Sequence, residues 1–305
     1  MKKHIIIGAR GSRLAEIQAR SVLTRLANIY PDVEFSLTKI ATKGDQQKTV
    51  PLGRISGYGV FVKELQEALL DGRIDLAVHS LKDVPTQIPH GLSLAVVTER
   101  LDSREVLVSR GGRLNELAPN SVIGTGSPRR TAQLLAYRSD LRVQGIRGNI
   151  DTRLRKVSSG EVDGIIVAAV AMIRLGWEDR ITEYLPLDYF LPQAGQGTLG
   201  LEIRVADSEM LTLVQPLHHE STWQSVVAER SFVQAMGGGC SAAIAALGTV
   251  VGNTLRLQGM AASSNGILYA SEEGDVLASE QVAGRLAQRL LAMGAVRTVA
   301  EAGKQ

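Results

Sequence analysis

Short apolar runs alternate along this chain with stretches whose apolar residues recur every third or fourth position. Residues 4–7, with Ile5, Ile6 and Ile7, read as a buried strand. Leu14, Ile17, Val22, Leu23 and Leu26 follow at helical spacing. Strand-like runs return at 35–40, 74–78, 92–97, 106–109, 122–124, 141–146 and 165–169. Helical patterns lie between several of them, at 62–70, 129–137 and 152–157. Strands alternating with helices predict an α/β architecture with mostly parallel sheets.

The last third has a different rhythm. A helix is predicted over about 221–235, ended by Gly237-Gly238-Gly239, because consecutive glycines suit a C-cap. Strands at 243–251, 255–261 and 267–270 then precede helical patterns at 282–293 and 295–302. Strands grouped ahead of helices point to a small separate α+β domain. Between 42 and 59, Gly44, Pro51, Gly53, Gly57 and Gly59 sit among polar residues. A loop of that length in a compact protein predicts a mobile lid.

Composition narrows the class. The 305 residues suit two or three domains. Hydrophobic residues make up 44% and charged residues 21%, as in ordinary globular proteins. A net charge of +3 is too mild to indicate a nucleic-acid binder, so the placement of the cations carries the information. The apolar run at 165–173 is too short to span a bilayer. The single cysteine, Cys240, excludes an internal disulfide or a cysteine-based zinc cluster and fits a reducing compartment. With no signal-like stretch at the start, a cytoplasmic protein is expected, without membrane or nucleic-acid partners.

The arginines gather at strand-to-helix junctions. Arg10 follows the first strand, with Ser12 placed to cap the next helix. Thr125-Gly126-Ser127-Pro128-Arg129-Arg130 follows another strand; Ser127 suits an N-cap and Pro128 the first helical position. Arg147-Gly148-Asn149 follows a third, with Asn149 as cap, and Lys82-Asp83 a fourth. Ligands of open α/β sheets bind beyond the carboxyl ends of strands, where such junctions lie. Arg129 and Arg130 in a first turn oppose the helix dipole, by roughly 0.3–1 kcal/mol each, and a bound anion would reverse that sign. The pattern predicts a site for a small ligand bearing several carboxylates or phosphates. Arg153 and Arg174 are further candidates for it.

Other signals fail on context. Gly195-Gln196-Gly197-Thr198-Leu199-Gly200 matches G-x-G-x-x-G, but a strand-like run follows it instead of a helix. The five histidines form no metal-binding pattern, and His79 reads as a packed strand-end residue. There is no G-x-S-x-G elbow. A lone cysteine is usually a small buried hydrophobe. Cys240, however, follows three glycines, with little bulk beside it, so its thiol is open to close approach.

Several motifs, in order, resemble those of the porphobilinogen deaminase (hydroxymethylbilane synthase) family. Val78-His79-Ser80-Leu81-Lys82-Asp83-Val84-Pro85 resembles the signature around that family's catalytic aspartate, and Gly239-Cys240 its cofactor-attachment loop. Gly124–Arg130, Ile146-Arg147-Gly148-Asn149 with Thr152-Arg153, Pro192-Gln193-Ala194-Gly195-Gln196-Gly197 and Phe61-Val62-Lys63-Glu64-Leu65 also match. The resemblance implies three domains: 1–97 with 198–214, then 98–197, then 218–305. The first two would resemble type II periplasmic-binding-protein lobes with a cleft between them, and the third would be a smaller α+β domain carrying the cysteine loop.

It also implies a transferase of tetrapyrrole and heme biosynthesis. Four porphobilinogen molecules condense head to tail to hydroxymethylbilane, with release of ammonia. The primer is a dipyrromethane cofactor joined to Cys240 by a thioether. Asp83 would be catalytic. Arg10, Ser12, Ser80, Lys82, Thr125, Ser127, Arg129, Arg130, Arg147, Arg153, Arg174 and Gln196 would bind cofactor and substrate, and no metal is expected. The chain departs from the family where Arg13 replaces a proline, where Tyr58 replaces a lysine, and where Ser241-Ala242-Ala243 follow the cysteine. Arg54 keeps a charge at another lysine position.

Overall fold

In the computed structural model, residues 3–42, 62–238 and 242–297 are described. The chain begins β1 (His4–Arg10), α1 (Arg13–Ile29), β2 (Glu34–Ile40), α2 (Lys63–Leu70), β3 (Leu76–Ser80), a 3-10 turn (Leu81–Asp83) and β4 (Leu92–Val97). It continues through β5 (Glu105–Ser109), β6 (Val122–Gly124), α3 (Pro128–Tyr137), β7 (Arg142–Gln144), α4 (Ile150–Ser158), β8 (Gly164–Ala168), α5 (Ala169–Leu175) and β9 (Glu183–Tyr184). Then come β10 (Leu199–Arg204), α6 (Ser208–Val214), α7 (Glu220–Ala235), β11 (Ile244–Val251), β12 (Thr254–Ser263), β13 (Gly266–Asp275) and α8 (Ser279–Ala292).

Two compact units emerge: Met1–Leu101 with Gly197–Trp223, and Asp102–Gln196 with Gln224–Gln305. The first holds a five-stranded sheet in the order β2-β1-β3-β10-β4. β1 runs parallel to β2 and β3, while β10 is antiparallel to β3 and β4. Helix α1 buries Ala15, Gln18, Ala19, Val22 and Leu26, spaced so that they share one face. That face meets Ile5, Ile7, Leu76 and Leu201 in the core. Fully burying one such leucine contributes about 1.5–3 kcal/mol. A second core, built by Leu65, Leu69 and Ile74, fixes α2.

The second unit holds a five-stranded sheet, β7-β6-β8-β5-β9, and a three-stranded antiparallel sheet, β11-β12-β13. β8 is buried along its whole length, as suits a central strand covered on both faces. Its Ile165 and Ile166 enter separate cores. Phe232 of α7 and Leu286 of α8 pack against Leu255 and Leu257 of β12. The fold is α/β with a small three-stranded sheet region at the C-terminal end.

Two expectations need correction. The five-stranded sheets are evenly mixed, because β10 and β5 run against their neighbours. Residues 295–297 are not helical; Ala295 bridges to Ser263 of β12 instead. The rest of that expected helix, the lid at 42–59 beyond Thr42, and Cys240 lie outside the described residues.

Candidate functional site

In the first unit the parallel strands β1 and β3 end at the same edge of the sheet. Arg10 closes β1, and Ser12 turns the chain into α1, its hydroxyl accepting from Ala15 N at 3.3 Å. After β3 the 3-10 turn carries Lys82 and Asp83. Arg10 Nη1 lies 3.8 Å from Asp83 Oδ2, and both side chains are partly exposed. A cavity of about 60 Å³ lies here, lined by Arg10, Ser12, Gln18, His79, Ser80 and Asp83, with apolar neighbours. Gln18 Nε2 donates to Ser80 Oγ at 2.8 Å, which ties α1 to the end of β3. Four of the expected residues, Arg10, Ser12, Ser80 and Asp83, therefore border one cavity.

Behind the cavity is a buried polar group. His79 Nε2 lies 2.9 Å from Glu202 Oε2, and Gln66 Nε2 donates to Glu202 Oε1 at 2.8 Å. His79, Gln66 and Glu202 are all buried, as expected for a packed His79.

In the second unit three parallel strands each lead into a helix: β6 into α3, β7 into α4, β8 into α5. Ser127 caps α3, with Pro128 at its start, and Asn149 caps α4, accepting from Thr152 N at 3.0 Å. Thr125 Oγ1 accepts from Ser127 N at 3.2 Å, which fixes the turn before α3. Arg153 Nε donates to Gly148 O at 3.0 Å and braces the Arg147-Gly148-Asn149 turn, where Gly148 has φ +106°. Arg174 sits on α5. Burial pushes its guanidinium down to about 10, which leaves it charged at neutral pH.

Arg129 and Arg130 are held by an internal acid. Both are buried on Glu105, which has no exposed surface. Arg129 Nη2 meets Glu105 Oε1 at 2.5 Å, and Arg130 Nη2 meets Oε2 at 2.7 Å. Arg129 Nη1 also donates to Leu191 O at 2.6 Å and Arg130 Nη1 to Ile166 O at 3.1 Å. The anion that offsets their unfavourable place in a helix first turn is the protein's own. Burial pulls the Arg129 guanidinium below its ordinary value, against the pull of Glu105. Gln196 is likewise fully buried and donates to Ser103 O at 2.8 Å. Through these contacts the three side chains tie α3, β8 and the segments at 103 and 191 together.

Sequence reasoning missed Glu105, Glu202 and Gln18. A lone acid opening the apolar run of β5, and another inside β10, were the available signals, since a buried carboxylate needs partners.

Among the described residues no group of histidine, cysteine or acidic side chains could hold a metal ion, and no helix is long and apolar enough to cross a membrane.

Residues 5–212 match the family model described as "Porphobilinogen deaminase, dipyromethane cofactor binding domain", and residues 223–292 the one described as "Porphobilinogen deaminase, C-terminal domain". A porphobilinogen deaminase of Pelobacter propionicus is 44% identical over 96% of this chain and 95% of its own. One of Geobacter sulfurreducens is 45% identical over 97% and 93%, and one of Geobacillus kaustophilus 47% identical over 87% and 86%. A solved structure of a putative methionine-binding lipoprotein from Bacillus subtilis aligns with 72% of this chain and 92% of its own, at 13% identity and a TM-score of 0.43.

Proposed function

From a chain that belongs to the porphobilinogen deaminase family, we propose that Asp83 carries the chemistry of its site. The activity is the stepwise condensation of four porphobilinogen molecules to hydroxymethylbilane, with ammonia released at each addition, in tetrapyrrole biosynthesis. The observation that carries the assignment is the cavity that Asp83 shares with Arg10, Ser12 and Ser80.

The chemistry explains these residue types. Porphobilinogen carries an aminomethyl group, an acetate and a propionate. Asp83 holds the aminomethyl ammonium and stabilises the positive charge left on the pyrrole as ammonia departs. Arg10, Ser12, Ser80 and Lys82 bind carboxylates on the first unit, and Thr125, Ser127, Arg147, Arg153 and Arg174 bind them on the second. Charge-assisted contacts contribute roughly 1.5–3 kcal/mol each. Arg129, Arg130 and Gln196 act from behind by fixing the α3 N-terminus and the segment after Leu191.

The family's cofactor is a dipyrromethane, and the donor set fits it: guanidinium, ammonium and hydroxyl groups at strand ends suit a ligand with four carboxylates. When attached to Cys240, it supplies the pyrrole carbon that the first substrate joins. The protein would work as a cytoplasmic monomer. Its three domains would be 1–97 with 198–214, 98–197, and 218–305; the breaks at Leu101 and Gly197 support the first division.

The test is the intact mass of denatured protein beside a Cys240→Ala control. Excess mass of two porphobilinogen units less their ammonia, present only with Cys240, is expected. A chain that stays unmodified after incubation with porphobilinogen would overturn the assignment.

A further inference from the structure

The His79–Glu202–Gln66 group has no part in the scheme above, yet His79 borders the Asp83 cavity. A carboxylate only accepts hydrogen bonds. Gln66 Nε2 occupies Glu202 Oε1 at 2.8 Å, and the His79 ring occupies Oε2 at 2.9 Å. His79 Nε2 is therefore the donor, and in a neutral ring Nδ1 is then the acceptor. The polar groups lining the cavity are otherwise rich in donors: Arg10, Ser12, Gln18 and Ser80. Asp83 and Nδ1 of the neutral His79 ring are the lining groups that only accept, whereas the serine hydroxyls and the Gln18 amide both donate and accept.

We propose that Glu202 is a positioning residue for the condensation, fixing His79 as the Nε2–H tautomer so that Nδ1 accepts an N–H of the bound aminomethylpyrrole beside Asp83. Two acceptors lining one cavity orient a substrate whose donors are its ammonium and its pyrrole N–H. Glu202 lies on β10, the strand inserted between β3 and β4, so the ring is held from a neighbouring strand and not by its own turn. Gln66, on α2, occupies the second oxygen and keeps the carboxylate from rotating away. The inference rests on the porphobilinogen reading above.

The tests are nitrogen NMR of the His79 ring, assigned with a His79→Gln variant, and kinetics of two variants. Wild type is expected to show Nε2 protonated and Nδ1 bare; an Nδ1–H ring would overturn the inference. In Glu202→Gln the amide oxygen stays opposite Gln66, its N–H faces the ring, and the tautomer reverses. kcat should fall about tenfold or more, with cofactor mass retained and the thermal midpoint nearly unchanged. The double variant Gln66→Glu with Glu202→Gln turns the amide round, so that its oxygen again faces His79, and should recover most of the lost rate. A single variant as active as wild type, or a double variant no better than the single one, would sink the idea. Wild-type protein that consumes no porphobilinogen would sink the functional reading instead, while leaving the tautomer measurement intact.

Discussion

Glu105 and Arg129 meet at 2.5 Å with neither side chain reaching solvent appreciably, and Arg130 takes the other oxygen of the same carboxylate. One acid thus serves two buried cations. Removing one partner from such a group leaves charge uncompensated in a poorly solvated place. Glu105→Ala is expected to cost about 3–5 kcal/mol, read as a lowered urea midpoint. An unchanged midpoint would show that the arginines find another anion.

Asp83 borders the cavity without being part of the core, and its contact with Arg10 is partly exposed, so loss of its charge is expected to leave folding intact. Asp83→Asn keeps the side chain's size and removes its charge. We expect the thermal transition to hold and porphobilinogen consumption to fall by about 100-fold or more. Near-normal turnover in that variant would remove Asp83 from the mechanism.

Tyr269 on β13 donates to Tyr189 O at 2.8 Å. Burial raises its phenol to about 12, with Arg129 pulling the other way. Because the folded value is raised, this phenol contributes stability below pH 10 and loses it as pH climbs towards 12. In an alkaline absorbance titration, Tyr269→Phe should delete a late-ionising step. It should also flatten the fall of stability across that window. A variant whose titration matches wild type would contradict this.

Gly197 has φ +95°, and a Cβ there would lie 2.5 Å from Leu101 O. Gly197→Ala must accept both a left-handed backbone and a clash with a carbonyl. The expected cost is about 1–3 kcal/mol or more, measured by denaturant unfolding. A neutral result would mean that the turn relaxes freely.

What the sequence made legible was local. Ser12, Ser127 and Asn149 were readable as caps because a cap and the amide it satisfies lie within three residues. Asp83 and the arginines were legible as motif positions. Partnerships across distance were not. Nothing near Arg129 announces Glu105, and nothing near His79 announces Glu202, because the sheets bring them together. The same limit hid the mixed strand directions: 199–204 reads as a strand, but its antiparallel place between β3 and β4 depends on where the chain returns.

That return sets the order of assembly during synthesis. β3 and β4 leave the ribosome about a hundred residues before β10, the strand that joins them. Until then both present unpaired backbone edges, the kind of surface on which chains aggregate. The first sheet can close only after the intervening segment has been made, and such long-range pairing is slow. A nascent chain truncated before Leu199 would hold Asp83 on a sheet missing an interior strand, so the Asp83 carboxylate is made more than a hundred residues before the strand that completes its support.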